Sequence, residues 1–213
     1  MGSASQPGRK PKLNPYRNVL QAWIPGQLGD RDQLLETIAS HDPVSSQIVS
    51  ASADWSDLAP ALELDREQDF LAFVQSVLDT HMAEMTATGG YAIEKGDEAD
   101  RVQSVVASTF LSSFGRSPAD RFADIFEQAA AFAAYLVRDH PFGDGNKRTA
   151  IRIALALIAM RGVELDIDDS PDPGHNALYG WVEDLVSKSL DAEGLAARLR
   201  QAGRVVSRRP DQA

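Results

Sequence analysis

The sequence predicts an all-α fold: a helical bundle with a short β-like flap and a mostly helical N-terminal extension. Three observations carry this. Apolar residues recur at three- and four-residue steps through most of residues 65–202. Gly or Pro marks the ends of those stretches, at Gly89-Gly90, Pro118, Pro141 and Gly162. One stretch, Ala129-Ala130-Ala131-Phe132-Ala133-Ala134, carries alanine on every helical face, which suits a central helix packed on several sides.

The elements follow in order. Leu34, Leu35 and Ile38 predict a short helix near 30–39. Residues 40–60 contain Pro43, several Ser and Trp55, and read as an irregular connection. Phe70, Phe73, Val74, Val77, Leu78 and Met82 predict a helix over about 65–86, stopped by Thr88-Gly89-Gly90. The Gly-broken segment Gly89–Asp97, with Tyr91 and Ile93, suits a short extended piece. A helix over about 97–114 places Val102, Val105, Val106, Phe110 and Phe114 on one side.

Ser117-Pro118-Ala119-Asp120 combines a capping Ser, Pro at the first helical position and Asp at the third. It predicts one helix over 118–139, ended by His140-Pro141, because proline disfavours helical geometry in the residue before it. The next helix, about 147–161, turns Ile151, Ala154, Leu155 and Ile158 inward and ends at Gly162. Val163–Ile167 predicts a brief strand, 168–174 a turn, and 175–188 and 192–202 two last helices.

Composition bounds the function classes. The chain has 213 residues and 23.1 kDa, enough for one domain with an appendage. It has no cysteine, which removes disulfides and thiolate metal sites and suits a reducing compartment. The net charge is −10, against non-specific binding to nucleic acid or anionic membrane. Charge is unevenly placed. Residues 1–18 hold Arg9, Lys10, Lys12 and Arg17 with no acid, and residues 198–213 hold five arginines and only Asp211. Between them, 12 basic and 30 acidic residues give a net of −18. Basic ends on an acidic body read as solvated tails.

No apolar targeting stretch opens the sequence, Gln6 occupies the position where a myristoylation signal needs Ser or Thr, and the longest apolar run, Ala129–Val137, is too short to span a bilayer. A cytoplasmic protein is the expectation. The domain boundaries expected are a basic tail over 1–18, an N-terminal extension of unknown role over 19–64, a catalytic domain over 65–202 and a flexible tail over 203–213.

The chemistry concentrates in His140-Pro-Phe-Gly-Asp-Gly-Asn-Lys-Arg-Thr149. Two helices flank a loop with Gly143 and Gly145. Successive backbone N–H groups at such a helix start form a concave anion site. Arg148 adds a guanidinium fork suited to phosphate oxygens. Asp144 offers a hard oxygen ligand for Mg²⁺, which favours carboxylate plus phosphate. His140 supplies an imidazole, a side chain suited to act as general base for a hydroxyl. Phe142 is the apolar residue that plugs the loop into the core. The Walker phosphate loop does not account for the stretch: its glycine spacing is wrong, Lys147 does not follow Gly directly, and a helix rather than a strand precedes it.

His140–Arg148 resembles the signature of the Fic/Doc (Fido) family, H-x-F-x-[DE]-[GA]-N-[GK]-R, with every fixed position matched. Thr88-Gly89-Gly90, the Phe122–Val137 helix, the Gly162-Val163 turn and the Asp169–Asp172 turn are similar to the death-on-curing (Doc) branch. The resemblance covers about 65–200 and implies a Fic/Doc-type helical bundle. It implies that His140 deprotonates a target hydroxyl and that Asp144 holds Mg²⁺. It implies further that Gly143, Gly145, Asn146, Lys147 and Arg148 bind ATP, with Phe142 as the loop anchor. Gly89, Gly90, Tyr91 and Ile93 would form a flap that aligns the target peptide by strand addition.

Adenylylating members carry Gly at the position of Lys147 and a second Arg where this chain has Ile151; Arg152 lies about 100° further round the helix. The combination resembles the Doc subgroup. That implies a toxin phosphotransferase moving the ATP γ-phosphate to a protein Ser or Thr hydroxyl, with a translation elongation factor as target and an antitoxin as partner. Fic-type nucleotidyl transfer (AMPylation) is the alternative, and a non-catalytic nucleotide- or partner-binding module the second.

Outside the loop, Arg152 reads as a surface helix residue. His41, His81 and His175 lack partners at ligand spacing and read as structural or exposed. Asp166–Asp172 reads as a turn rather than a calcium loop. Ser189-Leu-Asp-Ala-Glu193-Gly194 fits the family's inhibitory pattern, [ST]-x-x-x-E-[GN], but the second Arg that such a Glu pairs with is absent, and the stretch also reads as a helix start capped by Ser189 or Asp191; the resemblance favours inhibition in trans by an antitoxin.

Overall fold

A computed structural model describes residues 55–88, 95–167 and 177–205. Among them lie α1 (Trp55–Leu58), α2 (Glu67–Thr88), α3 (Glu98–Phe110), α4 (Pro118–Arg121), α5 (Ile125–Asp139) and α6 (Asn146–Met160), then β1 (Val163–Leu165), α7 (Ala177–Ser187), α8 (Ala192–Ala202) and β2 (Gly203–Val205). The fold is all-α. Its only sheet among the described residues is β1 paired antiparallel with β2, with Val163 opposite Val205 and Leu165 opposite Gly203.

Alanine explains the centre. Ala129, Ala130, Ala133, Phe132 and Leu136 of α5 are buried, and the short side chains let neighbours approach from several directions. Helix α6 packs along α5, α8 and α3 cover other faces, and α2 bridges α3 and α6. Phe73, Phe110 and Phe132 meet at 4.8–6.0 Å between ring centroids, joining α2, α3 and α5. Each buried ring removes apolar surface worth roughly 1.5–3 kcal/mol.

Predicted helix 118–139 is two helices. Ser117 and Asp120 form a full capping box, as their spacing requires, but the box starts only one turn. Phe122 then turns extended, and Asp124 caps α5 afresh, accepting from the N–H of Phe126 and Glu127 at 3.0 Å each. Arg121 uses the break: its guanidinium donates to the carbonyls of Ser108 and Leu111 at 2.7 Å, closing the C-terminal end of α3. Arg200 of α8 holds Asp124 at 2.8 Å and Glu127 at 3.3 Å, so α8 is tied to the same helix start.

Other boundaries also move. Helix α3 stops at Phe110, and Phe114, predicted inward, stands fully exposed at φ +51° in the Ser113–Arg116 turn. Part of the irregular 40–60 connection is the α1 turn. There Trp55 meets Phe126 edge-on at 5.0 Å, and Ala59 and Leu64 join the core ahead of residue 65. Gln128 secures this segment: Leu62 N–H donates to its Oε1 at 2.6 Å and its Nε2 donates to Leu62 O at 2.7 Å. At the other end, Gly203–Val205 pairs with β1. Gly162 takes φ +71° just beyond α6, the left-handed position predicted for it.

The expected helix at 30–39, the tail and extension over 1–54, the flap residues Gly89, Gly90, Tyr91 and Ile93, His41, His175, most of the Asp166–Asp172 turn and residues 206–213 lie outside the described residues. No helix of the described residues is long and apolar enough to cross a membrane.

Candidate active site

The loop between α5 and α6 begins at His140, which caps α5 in the left-handed conformation, φ +47°. His carries a steric cost there that Gly would not. Its carbonyl accepts from Lys95 Nζ at 2.8 Å, and Arg101 reaches the carbonyl of Asp139. Two cations thus meet the carbonyl end of α5, where the helix dipole is negative. Glu98 aims Lys95: its carboxylate accepts the N–H of Lys95 and of Gly96, which holds it below the usual carboxylate range. The His140 imidazole is exposed and makes no hydrogen bond or ion pair with the described residues.

Phe142 is buried, as an anchor must be. Asn146, also buried, holds it by the backbone: Phe142 N–H donates to Asn146 Oδ1 at 3.0 Å, and Asn146 Nδ2 donates to Phe142 O at 2.9 Å. The Asn146 side chain is therefore committed to loop shape, and its backbone N–H is what remains for an anion.

Gly145 opens α6 at φ +73°. The left-handed conformation favours glycine, and a Cβ there would stand 3.2 Å from His81 Cε1 and push the end of the Met85 side chain aside. Its N–H donates to Asp144 Oδ1 at 2.6 Å. The first intrahelical bond of α6 runs from Thr149 N–H to Gly145 O at 3.0 Å. The N–H groups of Asn146, Lys147 and Arg148 lack intrahelical acceptors, and no side chain caps them. Unpaired N–H groups at a helix start are where an anion can be held.

Asp144 and Arg148 stand one helical turn apart at the open face, 3.5 Å from Oδ2 to Nη2, both partly exposed. Gly143 is exposed beside them. Among the described residues no group of three His, Cys, Asp or Glu converges. The donor set fits a Mg²⁺ resting on one protein carboxylate, with phosphate oxygens and water as the other ligands. Lys147 turns instead toward α7, where Nζ meets Glu183 Oε1 at 2.8 Å. Ile151 is half-buried against the core, and Arg152 is not a free surface residue: it pairs with buried Glu84 of α2.

Residues 64–158 match the family model described as Fic/DOC family. Through that segment the chain is similar to the Fic/DOC family. Among curated proteins, it is 30% identical over 80 residues to Toxin Doc of Mycolicibacterium smegmatis, covering 38% of this chain and 58% of that protein. It is 38% identical over 53 residues to Protein kinase doc of Escherichia phage P1, covering 25% of this chain and 40% of that protein. The chain thus spans about half the length of the curated relatives it matches. No solved structure matches it significantly.

Several site neighbours were not legible as such in the sequence. His81 and Met85 of α2 lie under Gly145, Lys95 meets His140, and Glu183 meets Lys147. His81 is structural and buried, and its helical phase with Val74, Val77 and Met85 was the available signal. The Ser189–Gly194 segment takes the helix-start reading: Asp191 caps α8, accepting from Gly194 N–H at 2.8 Å. Glu193 is exposed there, while Arg148 pairs with Asp144.

Proposed function

We propose that the chain is a Doc-like phosphotransferase that moves the γ-phosphate of ATP to a Ser or Thr hydroxyl of a protein. The Fic/DOC family model and the relatives named Toxin Doc and Protein kinase doc support a transferase that draws on ATP. The observation that favours phosphoryl over nucleotidyl transfer is that helix α6 brings one guanidinium, Arg148, to the loop mouth. Arg148 faces the loop mouth, Ile151 packs on the core, and Arg152 is held by Glu84. Helix α6 offers no second Arg to grip a phosphate chain in the orientation that adenylylating members need.

In this reading the phosphates lie on the N–H groups that open α6, with Arg148 against the γ-phosphate oxygens. Mg²⁺ on Asp144 would neutralise charge on the phosphates. His140, at the exposed rim, takes the proton of the target hydroxyl as that oxygen bonds to the γ-phosphorus. The bond from the γ-phosphorus to the bridging oxygen breaks, and ADP leaves. Lys147 leaves Glu183 to join the phosphates. The segment containing Gly89, Gly90, Tyr91 and Ile93 presents the target as an added strand. A translation elongation factor is the proposed target, an antitoxin peptide the proposed inhibitor, and the cytoplasm the proposed site of action.

The test is incubation of the purified chain with a translation extract and ATP labelled at either the α or the γ position. Label entering one protein band from the γ position alone is expected, and a His140→Ala variant should abolish it. Label from the α position alone would assign nucleotidyl transfer instead. A His140→Ala chain as toxic in cells as the parent would favour the non-catalytic module.

A further inference from the structure

His81 lies on α2, 59 positions before the loop, yet it meets the loop on three sides. Its ring lies flat on Phe142, 3.7 Å between centroids and 3° from parallel. Its Nδ1 is 3.2 Å from Thr149 Oγ1 on α6. Its Cε1 edge closes the space beside Gly145. All of these residues are buried.

This contact differs from ordinary core filling. A Leu or Met of similar volume would exclude water as well, but it would rotate against Phe142 and make no hydrogen bond to Thr149. A flat stack allows Phe142 one ring plane, and Asn146 already holds the Phe142 backbone. His140 and Asp144 each lie two residues from Phe142, and Arg148 adjoins Thr149. The ring is therefore the point at which both ends of the loop are referred to α2.

We propose that His81 is a positioning residue of the transfer site, clamping Phe142 and Thr149 so that His140 and Arg148 face one another at the distance the reaction needs. The charged groups facing it are Asp144 and Arg148 of the loop and α6 and Glu98 of α3; burial and Arg148 oppose a charge on the ring, while Asp144 and Glu98 favour one. A neutral ring stacks and exchanges a hydrogen bond with Thr149 without needing a counter-ion.

The kinetic part of the test rests on the transferase reading; the exchange part does not. His81→Phe keeps a flat ring against Phe142 but gives up the Thr149 hydrogen bond, whereas His81→Leu gives up both and keeps only volume. His81→Phe should retain kcat within about threefold, and His81→Leu should lose roughly ten- to a hundredfold with KM for ATP little changed. Amide hydrogen exchange on the nucleotide-free chain should show Phe142 exposed about tenfold faster in His81→Leu than in His81→Phe, and Thr149 exposed faster than in the parent in both variants. If Leu does not fold, Met takes its place with the same expectation. Equal kcat and equal exchange in the ring-bearing and ring-less variants would overturn the proposal. If the parent transfers nothing, the transferase reading falls and exchange alone decides for or against the clamp.

Discussion

The side-chain amide of Asn146 closes on the backbone of Phe142 from both directions, accepting its N–H at 3.0 Å and donating to its carbonyl at 2.9 Å. Asn146→Asp keeps the acceptor and the size but replaces the donor with a second acceptor. The Phe142 carbonyl then faces an oxygen in a buried site. A buried polar group left without its partner costs roughly 1–3 kcal/mol. Urea unfolding should show that loss, and transfer activity should fall further than stability, because the same bonds shape the loop. Asn146→Asp with unchanged unfolding midpoint would show that these bonds are dispensable.

Gly145→Ala is expected to be worse than its size suggests. The left-handed backbone costs an L-residue roughly 1–2 kcal/mol. The new Cβ also meets Met85 Cε at 2.3 Å. That atom ends a flexible side chain, so the clash is relieved by moving Met85. Met85→Ala should therefore return part of the stability lost in Gly145→Ala, and the remainder should match the backbone term. No rescue in the double variant, measured by thermal unfolding, would place the whole cost in the backbone.

Helical class was legible from Phe70 to Leu199 because apolar spacing and the Pro and Gly boundaries agree with the packing. The break at Phe122–Asp124 was not, because Phe122, Ile125 and Phe126 continue a helical apolar pattern across it. Asp124 acts as a cap only once Arg200 and the new helix start surround it. In the site, His140–Arg148 was legible as a unit because its parts are contiguous. His81 with Thr149 is separated by 68 positions and Lys147 with Glu183 by 36. Pairs so far apart arise from helix packing, and no local pattern marks them.

Lys147 and Glu183 form a bridge at 2.8 Å with both side chains about two-fifths exposed. A pair in such surroundings contributes on the order of 0–1 kcal/mol. In the transferase reading it competes with ATP for the ammonium. Glu183→Gln should lower KM for ATP by about two- to fivefold, the range that such a pair can supply, with the thermal midpoint nearly unchanged. Lys147→Gly should raise KM and make Glu183→Gln silent. An effect of Glu183→Gln that persists without Lys147 would detach Glu183 from nucleotide binding.

His81 also makes stability depend on pH. Burial, aided by the Arg148 charge, holds its pKa below the ordinary value of 6.5, against the pull of Asp144 and Glu98. The unfolded chain therefore binds the His81 proton at a higher pH than the folded chain does. Between the folded and ordinary values the unfolded state carries more protons, so stability rises with pH. The contribution is complete above 6.5 and is lost as pH falls toward the folded pKa. His81→Phe has no such proton. The difference in unfolding free energy between parent and His81→Phe should thus shift against the parent as pH is lowered through this window and stay flat above it. Urea titrations of both chains on the two sides of the window give the answer, with carboxylate effects common to both cancelling. A difference that does not change with pH would mean that His81 binds its proton equally well folded and unfolded.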